Sequence, residues 1–217
     1  MILDLIVIGL AISLEPVPLT SFVLVLGSQN GLRKGAAFVS GWFVSLSIVV
    51  AVTLLATGDS PPKSSTAPSV TALAVKIVIG VALLLIALRQ YRRLGRPKKQ
   101  KKPPKWQQGL DTMSPFYAFG LATLVQPWGL IAAGIATIVE AKLASLADYL
   151  AIIFFCLLAT GTYLSMEIYA AARPTRMQES LARLRIWLDT HTDQLIIWVS
   201  LIAGLWLVGK STYVIVS

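Results

Sequence analysis

Gly9-Leu10-Ala11-Ile12-Ser13-Leu14-Glu15-Pro16-Val17-Pro18-Leu19 decides how this chain is read. It places an ionisable carboxyl and two prolines inside an otherwise apolar run. A second stretch, 111 residues later, repeats its surroundings: Gly120-Leu121-Ala122-Thr123-Leu124-Val125-Gln126-Pro127-Trp128-Gly129-Leu130. Five of the eleven positions are identical, and Glu15-Pro16 falls on Gln126-Pro127. A polar group beside a helix-breaking proline, at matching places in two halves of a membrane protein, points to a substrate or ion site.

The surrounding composition is that of a membrane protein. Of 217 residues, 56% are hydrophobic and 13% charged, against about 25% charged in soluble domains. Six long apolar runs stand out, near 4–28, 36–57, 69–88, 115–139, 147–171 and 194–215. Each is long enough for a helix to cross a hydrocarbon core of about 30 Å. The first run has no Lys or Arg before Arg33 and no small-residue cleavage site, so it is expected to stay as the first span.

The net charge of +9 is concentrated in alternate loops. Arg33 and Lys34 follow span one, nine bases from Arg89 to Lys105 follow span three, and Arg173, Arg176, Arg183 and Arg185 follow span five. That is 15 of the 19 bases. The positive-inside rule then predicts a multi-pass plasma-membrane protein with both termini outside and the basic loops cytoplasmic. With few loop aromatics and no recognition motif, nucleic acid is not an expected partner.

Three spans per half force the second half to enter from the opposite side, so a repeat of the first half is inverted. The expected fold is an all-α membrane protein, six transmembrane helices as two inverted three-helix repeats, with broken first and fourth helices. The whole chain, 1–217, forms one integral membrane domain: repeat one at 1–94, a basic cytoplasmic linker at 95–111 and repeat two at 112–217. A short outside loop with turn chemistry covers 58–68. Near 175–189, Thr175 and Gln178 are spaced as a capping box, and Met177, Leu181, Leu184 and Leu188 recur at helical spacing. This predicts an amphipathic helix on the cytoplasmic leaflet, with Arg176, Arg183 and Arg185 off the apolar stripe and Trp187 at the interface.

The candidate binding residues are Glu15, Pro16, Pro18, Gln126, Pro127, Lys76 and Glu167. Counting residues from the span ends puts Glu15 and Gln126 roughly 16–18 Å deep, near the midplane. Pro16, Pro18 and Pro127 are expected to free the carbonyls of Ile12, Leu14 and Thr123. Glu15 has two readings: a protonated carboxyl that exchanges its proton, or a carboxylate paired with a base such as Lys76 in span three. Its structural reading is a partner of the helix break. Glu167, in span five, either lies on a path from midplane to cytoplasm or pairs with Arg173. Gly41 and Ala132-Ala133-Gly134 are expected at close helix contacts. Ser40, Ser45, Ser47, Thr160, Thr162 and Ser165 are candidates to line a polar path.

Other chemistry is thin. Cys156 is the single cysteine, so an intrachain disulfide and a two-thiol relay are excluded. His191 between Asp189 and Asp193 reads as a solvated turn rather than a metal site. Without a nucleophile elbow, phosphate loop or paired metal motif, the chain is not expected to be an enzyme or to carry a cofactor or metal.

The Gly-Leu-Ala-x-x-x-Glu-Pro-x-Pro first span, the Gln-Pro-Trp-Gly fourth span and the long basic loop resemble the lysine-exporter superfamily of six-span inverted-repeat transporters. Within it, the chain is most similar to the actinobacterial glycopeptidolipid- and sulfolipid-addressing proteins. The resemblance implies movement of a membrane lipid or glycolipid across or out of the plasma membrane, beside larger lipid-export machinery. It leaves open an amino-acid or metal-cation exporter, which shares the architecture, and a non-transporting scaffold of an export complex. A homodimer is compatible with all three.

Overall fold

Proline, glycine and the apolar runs between them lay out the helices. The computed structural model describes residues 2–58, 70–94, 109–140 and 146–216. The outside loop expected at 58–68 lies almost wholly outside them, as does the basic linker from 95 to 108. The helices are α1 (Ile2–Ser13), α2 (Pro16–Leu26), α3 (Gly31–Gly58), α4 (Val70–Tyr91), α5 (Pro115–Val125), α6 (Trp128–Glu140), α7 (Leu146–Ala172) and α8 (Pro174–Val216).

Four of these, α3, α4, α7 and α8, are each long and apolar enough to cross a membrane. Two bent pairs bring the number to six: α1 and α2 meet at 48°, and α5 and α6 at 67°. The first and fourth apolar runs are therefore broken where the prolines fall. Proline cannot supply the helical N–H and clashes with the preceding turn, yet it suits the first position of a new helix. Pro16 and Pro115 both open helices in this way.

Small residues set the crossings. A Cβ on Gly41 of α3 would lie 2.4 Å from the Phe119 carbonyl oxygen of α5, so the two backbones touch there. Gly80 of α4 and Gly204 of α8 face one another, each close to the other's carbonyl oxygen (3.1 and 2.9 Å from the added Cβ). Gly134 of α6 meets the Phe155 ring of α7. The expected close approaches at Gly41 and Gly134 are present. The turn between α2 and α3 needs a left-handed residue, and Asn30 takes it at φ 56°.

Two expectations about the last helix need correction. No boundary separates a surface helix at 175–189 from the final span: Pro174–Val216 is one helix of 43 residues, about twice what a hydrocarbon core requires. Its stripe of Met177, Leu181 and Leu188 is buried in the protein core, with Leu184 packed against it. Met177, Leu181 and Leu184 line a crevice with Leu26 at the end of α2 and with Met166 and Ala170 of α7. The stripe faces protein because the ends of α2 and α7 offer apolar surface that lipid would otherwise cover.

Candidate functional site

At the first break the chain leaves the helix at Leu14 and re-enters it at Pro16. Glu15 occupies the N-cap of α2 with an extended backbone, and its Oε2 accepts from the Val17 N–H at 2.8 Å. A carboxylate here satisfies an orphan donor and meets the positive end of the helix dipole. The other Glu15 oxygen makes no hydrogen bond among the described residues. Pro16 and Pro18 are buried, while Leu14 and Val17 are about half exposed (47% and 53%), so the break lies at the edge of the helix packing. The Ile12 carbonyl, expected to be freed by Pro16, is taken by the Glu15 N–H at 3.4 Å in a tighter turn.

The second break is more enclosed. Gln126 is buried, and it ties α5 to α3: its Nε2 donates to the Trp42 carbonyl at 2.9 Å, and its Oε1 accepts from Ser45 Oγ at 3.0 Å. The Trp128 N–H closes the bend onto the Gln126 carbonyl at 2.9 Å, around the half-buried Pro127. Glu at one break and Gln at the other thus do different work. One caps its own chain, and the other is a bridge between helices.

Between α3 and α7 lies an aromatic core that the sequence reading missed. Trp42 and Tyr163 pack with ring centroids 4.6 Å apart and planes tilted by 50°, flanked by Phe22 and Phe38. Both Trp42 and Tyr163 are fully buried, and neither the Trp42 Nε1 nor the Tyr163 hydroxyl has a hydrogen-bond partner among the described residues. Such orphans are rare in native interiors. A signal existed in the sequence: Trp and Tyr in membrane proteins favour the interfaces, and these two sit well inside apolar runs.

One turn beyond Tyr163 on the same face of α7 is Glu167. Its Oε2 is also buried without a partner among the described residues, against Gly35 of α3, where an added Cβ would strike it. The alternative pairing with Arg173 is not formed; that arginine is exposed. Tyr163 and Glu167 therefore form a file of unmet polar groups along the α3–α7 seam. The hydroxyl path expected beside it is largely self-satisfied. Ser40, Thr160 and Ser165 each bond to the carbonyl four residues earlier, and Ser45 alone of these reaches another helix.

Lys76 does not join this group. It is buried in a small cleft with Asp4, Thr137, Trp206 and Lys210, which corrects the suggested pairing with Glu15. Asp4 accepts from Trp206 Nε1 at 2.9 Å and from Lys210 Nζ at 2.6 Å. Arg176, Arg183, Arg185 and Trp187 are all exposed on α8, with Trp187 stacked on His191 at 4.8 Å. Lys34, a topology charge by its place in the sequence, is buried. Its Nζ donates to the carbonyls of Leu110 (2.7 Å) and Asp111 (3.1 Å).

No curated protein and no solved structure matches the chain. Residues 5–213 match the model of a family described as Sap, sulfolipid-1-addressing protein, a stretch that reaches every helix described above. With its apolar helices, this makes it a membrane protein tied to lipid handling. The chain belongs to the Sap, sulfolipid-1-addressing protein, family.

Proposed function

We propose that this protein is a transporter that moves an envelope lipid or glycolipid across the plasma membrane, through a midplane site between its two broken spans. One observation carries the reading. On the α3–α7 seam, next to the Gln126 break that bonds the Trp42 carbonyl, two fully buried donors, Trp42 Nε1 and Tyr163 hydroxyl, have no partner among the described residues. A glycosyl or sulfated headgroup is rich in oxygen acceptors and would satisfy both, while Glu15 would accept from its hydroxyls. The site is closed in this structure, so loading requires the α3–α7 seam to open. Gln126 then acts as the fixed side, bonded to both Trp42 and Ser45.

Further support comes from pairings of like kind in the two halves. Span one packs on span five through α1 and α7, and span four on span two through α5 and α3. The third and sixth spans, α4 and α8, pack on one another. An inverted repeat of the lysine-exporter type would give this pattern. In this reading the chain is not an enzyme, the basic loops face the cytoplasm, and export machinery receives the lipid.

The test is native mass spectrometry of the gently extracted full chain, wild type against Glu15→Gln and Tyr163→Phe. The expected result is a distinct envelope lipid held by wild type and lost in both variants. If wild type carries only bulk phospholipid, the lipid site is wrong, and uptake of amino acids and metal ions into proteoliposomes becomes the next assay. If the variants hold the lipid as wild type does, the breaks are structural and an accessory role follows.

A further inference from the structure

A cavity of about 580 Å³ opens between the end of α2, the first half of α8 and the short segment Leu110–Asp111. It is distinct from the Glu15 break: Gly27, on its wall, is twelve residues along the chain from Glu15, roughly 18 Å if helical. One wall is apolar, formed by Val23, Leu24, Leu181 and Ile186. Ser28, Gln178, Asp111 and Arg185 supply its polar groups. An apolar wall facing a cationic rim is the lining an amphiphile with a charged head would need.

The sign of that head follows from the charges. Arg185 is exposed and lines the cavity. Behind the wall sits the buried Lys34 ammonium, held by the Leu110 and Asp111 carbonyls and, at 3.5 Å, by Ser28 Oγ. None of these is a carboxylate, so its charge is solvated but not neutralised by them. Asp111 is the one acid in the lining, and its Oδ1 accepts from the Gln29 N–H at 3.0 Å. Two positive charges against one negative leave a net positive cavity. The chain leading into Leu110 carries six further bases between Arg96 and Lys105.

We propose that this cavity is a second binding site, for the anionic headgroup of a membrane lipid. Arg185 meets the headgroup charge in a charge-assisted hydrogen bond, and one acyl chain lies along Val23, Leu24 and Ile186. The site stands apart from the one proposed at Glu15 and holds whether or not that one does.

The experiment titrates the detergent-solubilised full chain with short-chain phosphatidylglycerol and, separately, phosphatidylcholine, read by native mass spectrometry. Wild type is expected to prefer phosphatidylglycerol. Arg185→Gln should weaken that lipid about tenfold, the loss of one hydrogen bond to a charged group, while Arg185→Lys should keep most of the preference. Glu15→Gln should leave it unchanged. Equal binding of the two lipids overturns the proposal, as does wild-type affinity in Arg185→Gln. Displacement of phosphatidylglycerol by inorganic phosphate at a similar concentration would show a bare anion site and overturn the lipid. Loss of the preference in Glu15→Gln would merge the two sites and overturn the claim of a second one.

Discussion

The side chains with most consequence are those whose polar atoms are badly placed for a protein that only needs to fold. Tyr163 separates stability from function most cleanly. Its hydroxyl is buried without a partner among the described residues, so it gives up hydration and gains no bond. Removing an unsatisfied group costs nothing of the kind that removing a bonded one does. Tyr163→Phe should leave thermal stability unchanged or raise it by up to about 1 kcal/mol. A marked drop in melting temperature would mean that the hydroxyl is bonded after all. Lys34 is the opposite case. Lys34→Met deletes the donor to the Leu110 and Asp111 carbonyls. It should cost about 1.5–3 kcal/mol in a denaturation measurement, and a change below about 0.5 kcal/mol would show that those carbonyls find other donors. Neither residue could be weighed from sequence. Tyr163 needs its unmet hydroxyl to be seen, and the partners of Lys34 lie 76 residues away.

Among the elements, the breaks were readable and the last helix was not. Proline acts on its own backbone, through a missing N–H and a fixed ring, so Pro16 and Pro127 announce bends without any tertiary information. The run Asp189-Thr190-His191-Thr192-Asp193 suggested a loop before the final span, but it holds no Gly or Pro to stop a helix. Its hydroxyls bond back along it instead: Thr190 to the Ile186 carbonyl, Thr192 to that of Leu188. Such back-bonding keeps polar residues helical, and Asp193 adds a tie to Gln90 of α4 at 2.7 Å. Glycine contacts give the element-scale prediction. Gly41→Ala drives a methyl into the Phe119 backbone of α5, a group that no rotamer change can move aside. It should cost about 1–3 kcal/mol in thermal unfolding. Gly161→Ala is the matched control, since a Cβ there meets nothing within 4 Å. It should be neutral or mildly stabilising, because alanine is the better helix former. Equal effects from the two changes would mean that the α3–α5 contact is looser than the backbone approach implies.

Across the whole molecule, the bases are sorted by loop. Arg33, Lys34, Arg92, Arg93, Arg176, Arg183 and Arg185 fall in the same alternate set of loops as the basic linker or beside it. Outside that set, Lys210 is matched by Asp4 at 2.6 Å, a pair that joins the first and last helices. The positive-inside rule counts Lys and Arg rather than net charge, and 15 of the 19 bases fall in the set of loops that includes the linker. The orientation this predicts is both termini outside and the linker in the cytoplasm. It is checked in a Cys156→Ala chain carrying one new cysteine, since Cys156 is the single native thiol and is buried. On intact cells a membrane-impermeant maleimide should label Ser217→Cys and spare Lys101→Cys until the membrane is opened. The reverse pattern would place the Arg185 cavity on the outer face. An anionic lipid would then meet that cavity after crossing the membrane rather than before, and the order of the two sites along its path would invert.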